Sequence, residues 1–226
     1  MSQAALLRPA LVAGLSALNL PLAEDVVDRL LAYLDLVARW NKVYNLTAVR
    51  ELGDMLTQHL LDCLAVVEPL RQALAPAQAA AQAGGPPVQV LDVGSGAGLP
   101  GVVLALCNPG WQITCVDTVA KKASFIRQAG LELGLPNLQA LHQRVEDIGE
   151  PVFQLITSRA FASLADFTAL TRECLAPQGQ WAAMKAKLGA EERGDLPADV
   201  DFFCLQPLSV PGLEAERCLA WMRLRS

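Results

Sequence analysis

From Glu24 to Trp40 the apolar residues Val27, Leu30, Leu31, Leu34 and Val37 recur every three or four positions. That spacing puts them on one stripe of a helix that buries a single face. Glu24 and Asp25 at its start and Arg39 near its end suit the helix dipole. Two asparagines in "NKVYNLTAVR" interrupt the stripe, and the helix is expected to stop there. Asp54 is placed to cap a further helix over "MLTQHLLDCLAVVEPL". Residues 1–74 therefore read as a helical extension without a strand pattern.

Residues 75–87, "APAQAAAQAGGPP", are low in complexity and end in Gly-Gly-Pro-Pro, which cannot continue a helix. They predict a flexible linker. The rhythm then changes over 88–226. "VQVLDV", "WQITCVD", "LQALH", "FQLITS" and "GQWAAMK" are short β-type runs. "TVAKKASFIRQAGLELG" reads as a helix capped by Thr118 and closed by Gly134, and "LADFTALTRECLA" as another. Strands alternating with helices of this length predict a mostly parallel sheet covered on both faces. The runs "VDFFCLQPL" and "RCLAWMRL" predict an antiparallel pair at its edge.

Composition narrows the possibilities. Of 226 residues, 53% are hydrophobic and 18% charged, enough apolar material for a well-filled core. No apolar run is long enough to span a membrane. Asn19 breaks the apolar start, so no signal peptide is expected and the cytoplasm is the expected compartment. The six cysteines are scattered and only His59 and His142 could join them, so no metal cluster can be composed. A formal charge of −5 excludes a broad basic coat, though not a local basic site.

The candidate chemistry starts in "VLDVGSGAGLPG", residues 90–101. Counted from Gly94 it is Gly-x-Gly-x-Gly with Asp92 two residues upstream. Counted from Gly96 it is Gly-x-Gly-x-x-Gly through Gly98 and Gly101. Both patterns bring backbone close to a nucleotide-like ligand. Asp117, at the end of the second strand, suits the hydroxyls of a ribose in either case. A dinucleotide brings two phosphates, which Asp92 would repel. S-adenosylmethionine brings a sulfonium and an ammonium, which carboxylates suit. No second domain that would hold a hydride acceptor is evident. S-adenosylmethionine is the expected ligand.

Several further segments carry a resemblance. "WNKVYNLTAVR", "HLLDCLAV", "VLDVGSGAGLPG", "KKASFIRQ", "RVED", "TSRAFASL" and "AMKA" occur in the order and spacing of the RsmG (GidB) methyltransferases, and the chain resembles that family from Leu11 to the last strands. The resemblance implies a class I S-adenosylmethionine-dependent methyltransferase fold, Rossmann-like, with a helical N-terminal extension. It implies methylation of N7 of a guanine in the 530 loop of bacterial 16S rRNA, free or within the 30S subunit or an assembly intermediate, by a monomer. The alternatives are a small-molecule methyltransferase and a non-catalytic S-adenosylmethionine-binding module. Two positions depart from the family: Lys185 is followed by alanine, not glycine, and Cys218 stands where histidine often follows arginine.

The residues agree with a ring-nitrogen acceptor. The fourth strand is followed by "TSRAFAS", with no Asn/Asp-Pro-Pro-aromatic loop for an exocyclic amine. Neither this loop nor the end of the fifth strand offers the cysteine that pyrimidine C5 methylation needs. Guanine N7 bears no proton and requires no general base. Arg159 and Lys185 are accordingly the expected catalytic pair, acting by positioning. Asp92, Gly94, Gly96, Gly98, Leu99, Asp117, Val145, Glu146 and Arg159 are the expected cofactor contacts, with orientation of the glycine loop through hydrogen bonds as the alternative role for Asp92. Lys122, Arg144 and Lys185 are the expected RNA contacts, and Lys121 and Lys187 read equally well as solvated charge. His59 and Asp62 match family positions, but by residue type His59 reads as a packed helix residue. Trp40 and Tyr44 read as core.

Overall fold

The structure, a computed structural model, describes residues 3–149, 152–159, 161 and 163–225, without the side chain of Ala190. After a 3-10 turn at Ala4–Leu7, α1 (Arg8–Ala17) and α2 (Glu24–Tyr44) form a helical pair. A continuous helical segment follows: α3 (Leu52–Met55), a π-helical stretch (Leu56–Leu61) and α4 (Asp62–Leu64). Then come α5 (Val67–Gln82), β1 (Val88–Val93), α6 (Gly101–Cys107), β2 (Trp111–Asp117), α7 (Ala120–Glu132) and β3 (Leu138–His142). The chain finishes with β4 (Phe153–Arg159), α8 (Leu164–Thr171), β5 (Leu175–Lys185), α9 (Ala190–Gly194), β6 (Val200–Leu208) and β7 (Arg217–Leu224).

The seven strands form one sheet in the order β3-β2-β1-β4-β5-β7-β6. The first five are parallel, and β7 runs antiparallel between β5 and β6. Strand order reverses between β1 and β4. Above the carboxyl ends of those strands lies the crevice where open α/β sheets bind ligands.

Two apolar layers hold the sheet. On one face Val88, Val90, Ile113, Cys115 and Leu155 pack against α6, α7 and all the N-terminal helices. On the other, Leu91, Val93, Val116 and Ile156 meet Leu164 and Phe167 of α8. The extension thus shares its core with the sheet. Trp40 stacks edge-on against Phe125 of α7 with ring centres 5.4 Å apart. Among the described residues, no helix is long and apolar enough to cross a membrane.

Local differences from the sequence expectations have physical reasons. Helix α2 runs through Asn41 to Tyr44 and ends at Asn45, whose φ is +51°. It can do so because the buried Asn41 side chain closes the next loop, donating to the Val49 carbonyl at 2.9 Å and accepting from the Thr47 N–H at 2.9 Å. Asp54 is not a cap: α3 starts after Glu51, with no side-chain cap bond. Thr118 is not a cap either, since α7 starts after Val119, whose N–H bonds Asp117 Oδ1 at 2.9 Å. The expected linker from residue 75 is corrected: α5 continues to Gln82 with Pro76 on its exposed side, and only 83–87 leave the helix. Alanine is the best helix former, and buried Leu70 and Leu74 fix the preceding turns.

The shared core has a consequence for the isolated sheet. Leu30, Leu34, Leu60, Leu64, Leu70 and Leu74 are each at most 4% exposed. Burying each stabilises by roughly 1.5–3 kcal/mol, so six are comparable to the roughly 5–15 kcal/mol of a whole domain. Residues 88–226 expressed alone should show no cooperative thermal transition by circular dichroism. A transition near that of the full chain would show that the helices are an independent attachment.

Candidate functional site

The glycine loop after β1 is built by backbone conformation. Gly94, Gly96 and Gly98 have φ of +68°, +59° and +82°, a region that costs other residues strain. A side-chain carbon at Gly94 would meet nothing within 4 Å, because this residue faces open space. Gly98 and Gly101 are glycine for another reason: a Cβ there would lie 2.5 Å from Val102 and 2.2 Å from Cys115 Sγ, respectively. Gly101, the last glycine of the dinucleotide pattern, therefore lets α6 close onto the sheet.

Two cavities meet at Gly94. The smaller, about 250 Å³, is lined by Gly94, Asp117, Arg144, Val145, Glu146 and Phe161, among others. The larger, about 460 Å³, has walls from the glycine loop, His59, Asp62, Arg159, Lys185 and Arg217. Of the expected cofactor residues, Asp117, Val145 and Glu146 line the first; Gly96, Leu99 and Arg159 line the second. Asp92 and Gly98 line neither. Asp92 is fully buried beneath the loop, accepting from the Gly101 N–H at 2.9 Å, while the Ser95 hydroxyl donates to its carbonyl at 2.8 Å. Its other oxygen, Oδ1, has no partner among the described residues. Burial pushes its carboxyl up to about 6 despite the Gly101 bond.

Asp117 ties the loop to β2. Its Oδ2 accepts from the Gly96 N–H at 2.9 Å, and Lys122 Nζ lies 3.7 Å from the same oxygen. A carboxylate oxygen has two lone pairs, so Asp117 retains acceptor capacity toward the smaller cavity. Arg144 bonds the Glu146 carboxylate at 2.6 Å on the rim of that cavity. The exposed pair holds the Glu146 carboxyl below its usual range. Of the three expected RNA contacts, Lys185 alone lines the larger cavity. There its Nζ donates to Glu192 at 2.7 Å and to the Phe161 carbonyl at 3.3 Å.

The larger cavity owes much of its chemistry to the N-terminal helices. Arg159, the last residue of β4, donates through Nη1 to the Gln58 carbonyl at 3.0 Å, and Nη1 lies 3.4 Å from both Asp62 Oδ2 and His59 Nδ1. These partners sit on or beside the π-helical stretch, a form often found at functional sites. His59 Nε2 lies 2.7 Å from the Thr47 hydroxyl, so both its nitrogens are engaged. Burial, and then the Arg159 charge, pull the imidazole down to about 4, which keeps it neutral near pH 7. Buried Asp62 also accepts from Arg217 Nε at 2.9 Å, across 155 residues of sequence. Tyr33 of α2 donates to the Ala97 carbonyl at 2.6 Å, joining the extension to the glycine loop.

Sequence reasoning missed Tyr33, Thr47 and Arg217, and by residue type favoured packing for His59, although His59 matches a family position. A tyrosine on a buried stripe needs a partner for its hydroxyl, which was the available signal for Tyr33. Nothing local marked Arg217. Cys218 is a correction: antiparallel pairing sets it opposite Lys185, so a cysteine does reach the end of the fifth strand. Its thiol donates to the Lys185 carbonyl at 3.6 Å, and burial raises its pKa, which disfavours the thiolate a nucleophile would need. Ala160 and Ala162 of "TSRAFAS" lie outside the described residues.

The chain matches the family model GidB, described as rRNA small subunit methyltransferase G, over residues 27–220. A protein named ribosomal RNA small subunit methyltransferase G from Methylibium petroleiphilum is 56% identical over 92% of this chain and 90% of its own. One of the same name from Leptothrix cholodnii is 55% identical over 97% and 96%. Among solved structures, a ribosomal protein L11 methylase from Lactobacillus delbrueckii superposes with a TM-score of 0.50 at 13% identity, over 74% of this chain and 77% of that one. The glycopeptide N-methyltransferase MtfA, complexed with S-adenosylmethionine, gives a TM-score of 0.50 at 12% identity, over 68% and 94%. These likenesses establish a methyltransferase fold.

Asp92 sets a test of the loop's electrostatics. Its carboxyl is raised in the folded chain from 3.8 to about 6, so its contribution to stability is complete below pH 3.8 and is lost as pH rises through 6. Two units correspond to roughly 3 kcal/mol. Denaturant unfolding of wild type and Asp92→Asn should show the stability of wild type relative to the variant falling by about that much from pH 3.5 to pH 7. A pH-independent difference would mean that Asp92 is not desolvated as described. For the loop itself, Gly94→Ala should weaken S-adenosylmethionine binding at least tenfold in calorimetry, by strain and by filling the junction of the cavities. Unchanged affinity would move the ligand elsewhere.

Proposed function

The chain belongs to the GidB family of rRNA small subunit methyltransferase G proteins, and on that footing we propose that it methylates N7 of a guanine in the 530 loop of bacterial 16S rRNA. The methyl group comes from S-adenosylmethionine, which carries it on a sulfonium sulfur that would depart as a neutral thioether without needing a proton. The observation that carries this reading is the pair of cavities meeting at Gly94. The smaller offers Asp117 to ribose hydroxyls and Val145 and Glu146 to an adenine edge. The larger has room for an acceptor base. Gly94 lines both cavities, where the methyl group would pass from donor to acceptor.

The chemistry of the larger cavity favours an acceptor that gives up no proton. Its one carboxylate among the described lining residues, Asp62, is engaged by two arginines, and both nitrogens of His59 are engaged. An imidazole with a pKa of about 4 is a poor base at neutral pH. Guanine N7 attacks with its own lone pair, so catalysis reduces to holding it in line with the methyl group. Arg159 and Lys185 are suited to that task by touching O6 or phosphate while leaving N7 bare. We extend the reading to a cytoplasmic monomer whose substrate is 16S rRNA, alone or in the 30S subunit.

The direct experiment incubates the protein with labelled S-adenosylmethionine and 30S particles, free 16S rRNA or 50S particles, then maps the modified base. Label on a guanine N7 of 16S rRNA is expected. Label on 50S RNA, on an exocyclic amine or only on small molecules would overturn the proposal. Single-turnover rates at saturating substrates should be nearly flat from about pH 6 to 9. Arg159→Ala should lower them roughly ten- to a hundredfold, the worth of one charge-assisted contact. A steep rise with pH would reveal a proton being removed and hence a different acceptor.

A further inference from the structure

The larger cavity holds more positive charge than its carboxylates balance. Its described ionisable walls include His59, Asp62, Arg159, Lys185 and Arg217. Lys185 is matched by Glu192 at 2.7 Å. Asp62 alone serves both arginines, giving Oδ1 to Arg217 and Oδ2 to Arg159. Among the described residues no second carboxylate lies within 4.0 Å of either guanidinium. One positive charge is left over. It is not simply solvated, because the Arg159 and Arg217 side chains are only 24% and 22% exposed. His59 cannot offset it, being neutral or cationic at any pH.

Hydrogen bonding shows where the surplus is free to act. A guanidinium has five N–H donors. Arg217 uses Nε on Asp62 and Nη1 on the Glu216 carbonyl at 2.9 Å, and its Nη2 has no partner among the described residues. Arg159 makes all its bonds through Nη1, leaving Nη2 and Nε without described partners. Two half-buried guanidinium groups, each fixed on one side by the same carboxylate, therefore keep unspent donors in a cavity both of them line. Such forks match the paired oxygens of a carboxylate or phosphate.

We propose that Arg159 and Arg217, held by Asp62, form an oxyanion subsite in the larger cavity that receives a carboxylate or a phosphodiester from a substrate. The proposal rests on the function given above for its two candidate ligands: the amino-acid carboxylate of S-adenosylmethionine, and a phosphodiester flanking the target guanosine. In either case the anion supplies the charge that the cavity lacks, and Arg217 becomes a binding residue alongside Arg159.

The test compares wild type, Arg217→Gln and Arg217→Lys, each with its thermal midpoint recorded. Calorimetry uses S-adenosylmethionine and its decarboxylated analogue. Filter binding uses a 16S rRNA hairpin across a range of salt concentrations. If the ligand is the carboxylate, Arg217→Gln weakens S-adenosylmethionine binding roughly ten- to a hundredfold and leaves the decarboxylated analogue unaffected. If it is the phosphodiester, S-adenosylmethionine binding is unchanged, while RNA affinity falls and its salt slope drops by about one. Arg217→Lys, which keeps the charge beside Asp62, should recover part of either loss and keeps the comparison readable if the glutamine variant folds poorly. Wild-type affinity of both variants for both ligands would overturn the subsite, as would equal losses for S-adenosylmethionine and its decarboxylated analogue with unchanged RNA binding. Inorganic phosphate, titrated alone at low ionic strength, separates this failure from that of the proposed function. Tighter phosphate binding by wild type than by Arg217→Gln supports the subsite even if S-adenosylmethionine is not a ligand, and equal binding counts against it.

Discussion

The buried carboxylate of Asp62 is the constraint on which the site depends. One oxygen takes Arg159 from the end of β4 and the other takes Arg217 from the start of β7. Three segments far apart in sequence are thereby fixed at the end of the sheet where β4 finishes and β7 begins. Removing one partner of such a buried pair costs roughly 3–5 kcal/mol, because it strands the remaining charge. The same carboxylate thus aligns the cations and keeps them from repelling each other. Its two oxygens cannot neutralise them fully, which leaves the cavity attractive to an anion.

This arrangement makes the N-terminal helices walls of the larger cavity. They share a core with one sheet face, and they also bring Gln58, His59 and Asp62 to Arg159. The loop before them is braced from Asn41 to Thr47 and from Thr47 to His59. Tyr33 reaches the glycine loop from the same side. In the function proposed above, the strands supply the donor half of the site at the switch point of the sheet, and the helices supply much of the acceptor half.

The sheet was readable in the sequence, and the acceptor site only partly so. β1 and β2 match the runs "VQVLDV" and "WQITCVD" because short β-branched stretches bounded by turn residues leave few alternatives. Helix ends were harder to read. Asn41 resembles a helix breaker until its side chain is seen closing the loop beyond, and α7 has no side-chain cap, Asp117 instead holding the N–H of Val119 just before it. The glycines were recognised as a group, yet they divide by cause: Gly94 faces a cavity, whereas Gly98 and Gly101 are pressed against Val102 and Cys115. Asp92 braces the loop from beneath, the alternative role its sequence position allowed. Position 218 was marked only as a departure from the family pattern, because it takes the antiparallel return of β7 to set Cys218 beside Lys185.

A double-mutant cycle on Asp62 and Arg159 tests most directly whether the helices build the acceptor site. Methyl transfer to 16S rRNA would be measured as kcat/KM for wild type, Asp62→Asn, Arg159→Met and the double variant, all confirmed folded by circular dichroism. If Asp62 acts by holding Arg159, the double variant should lose little more than the worse single variant, because one function is removed once. If the losses multiply, each residue works independently, and the helices are a covering for the sheet and not a part of the site.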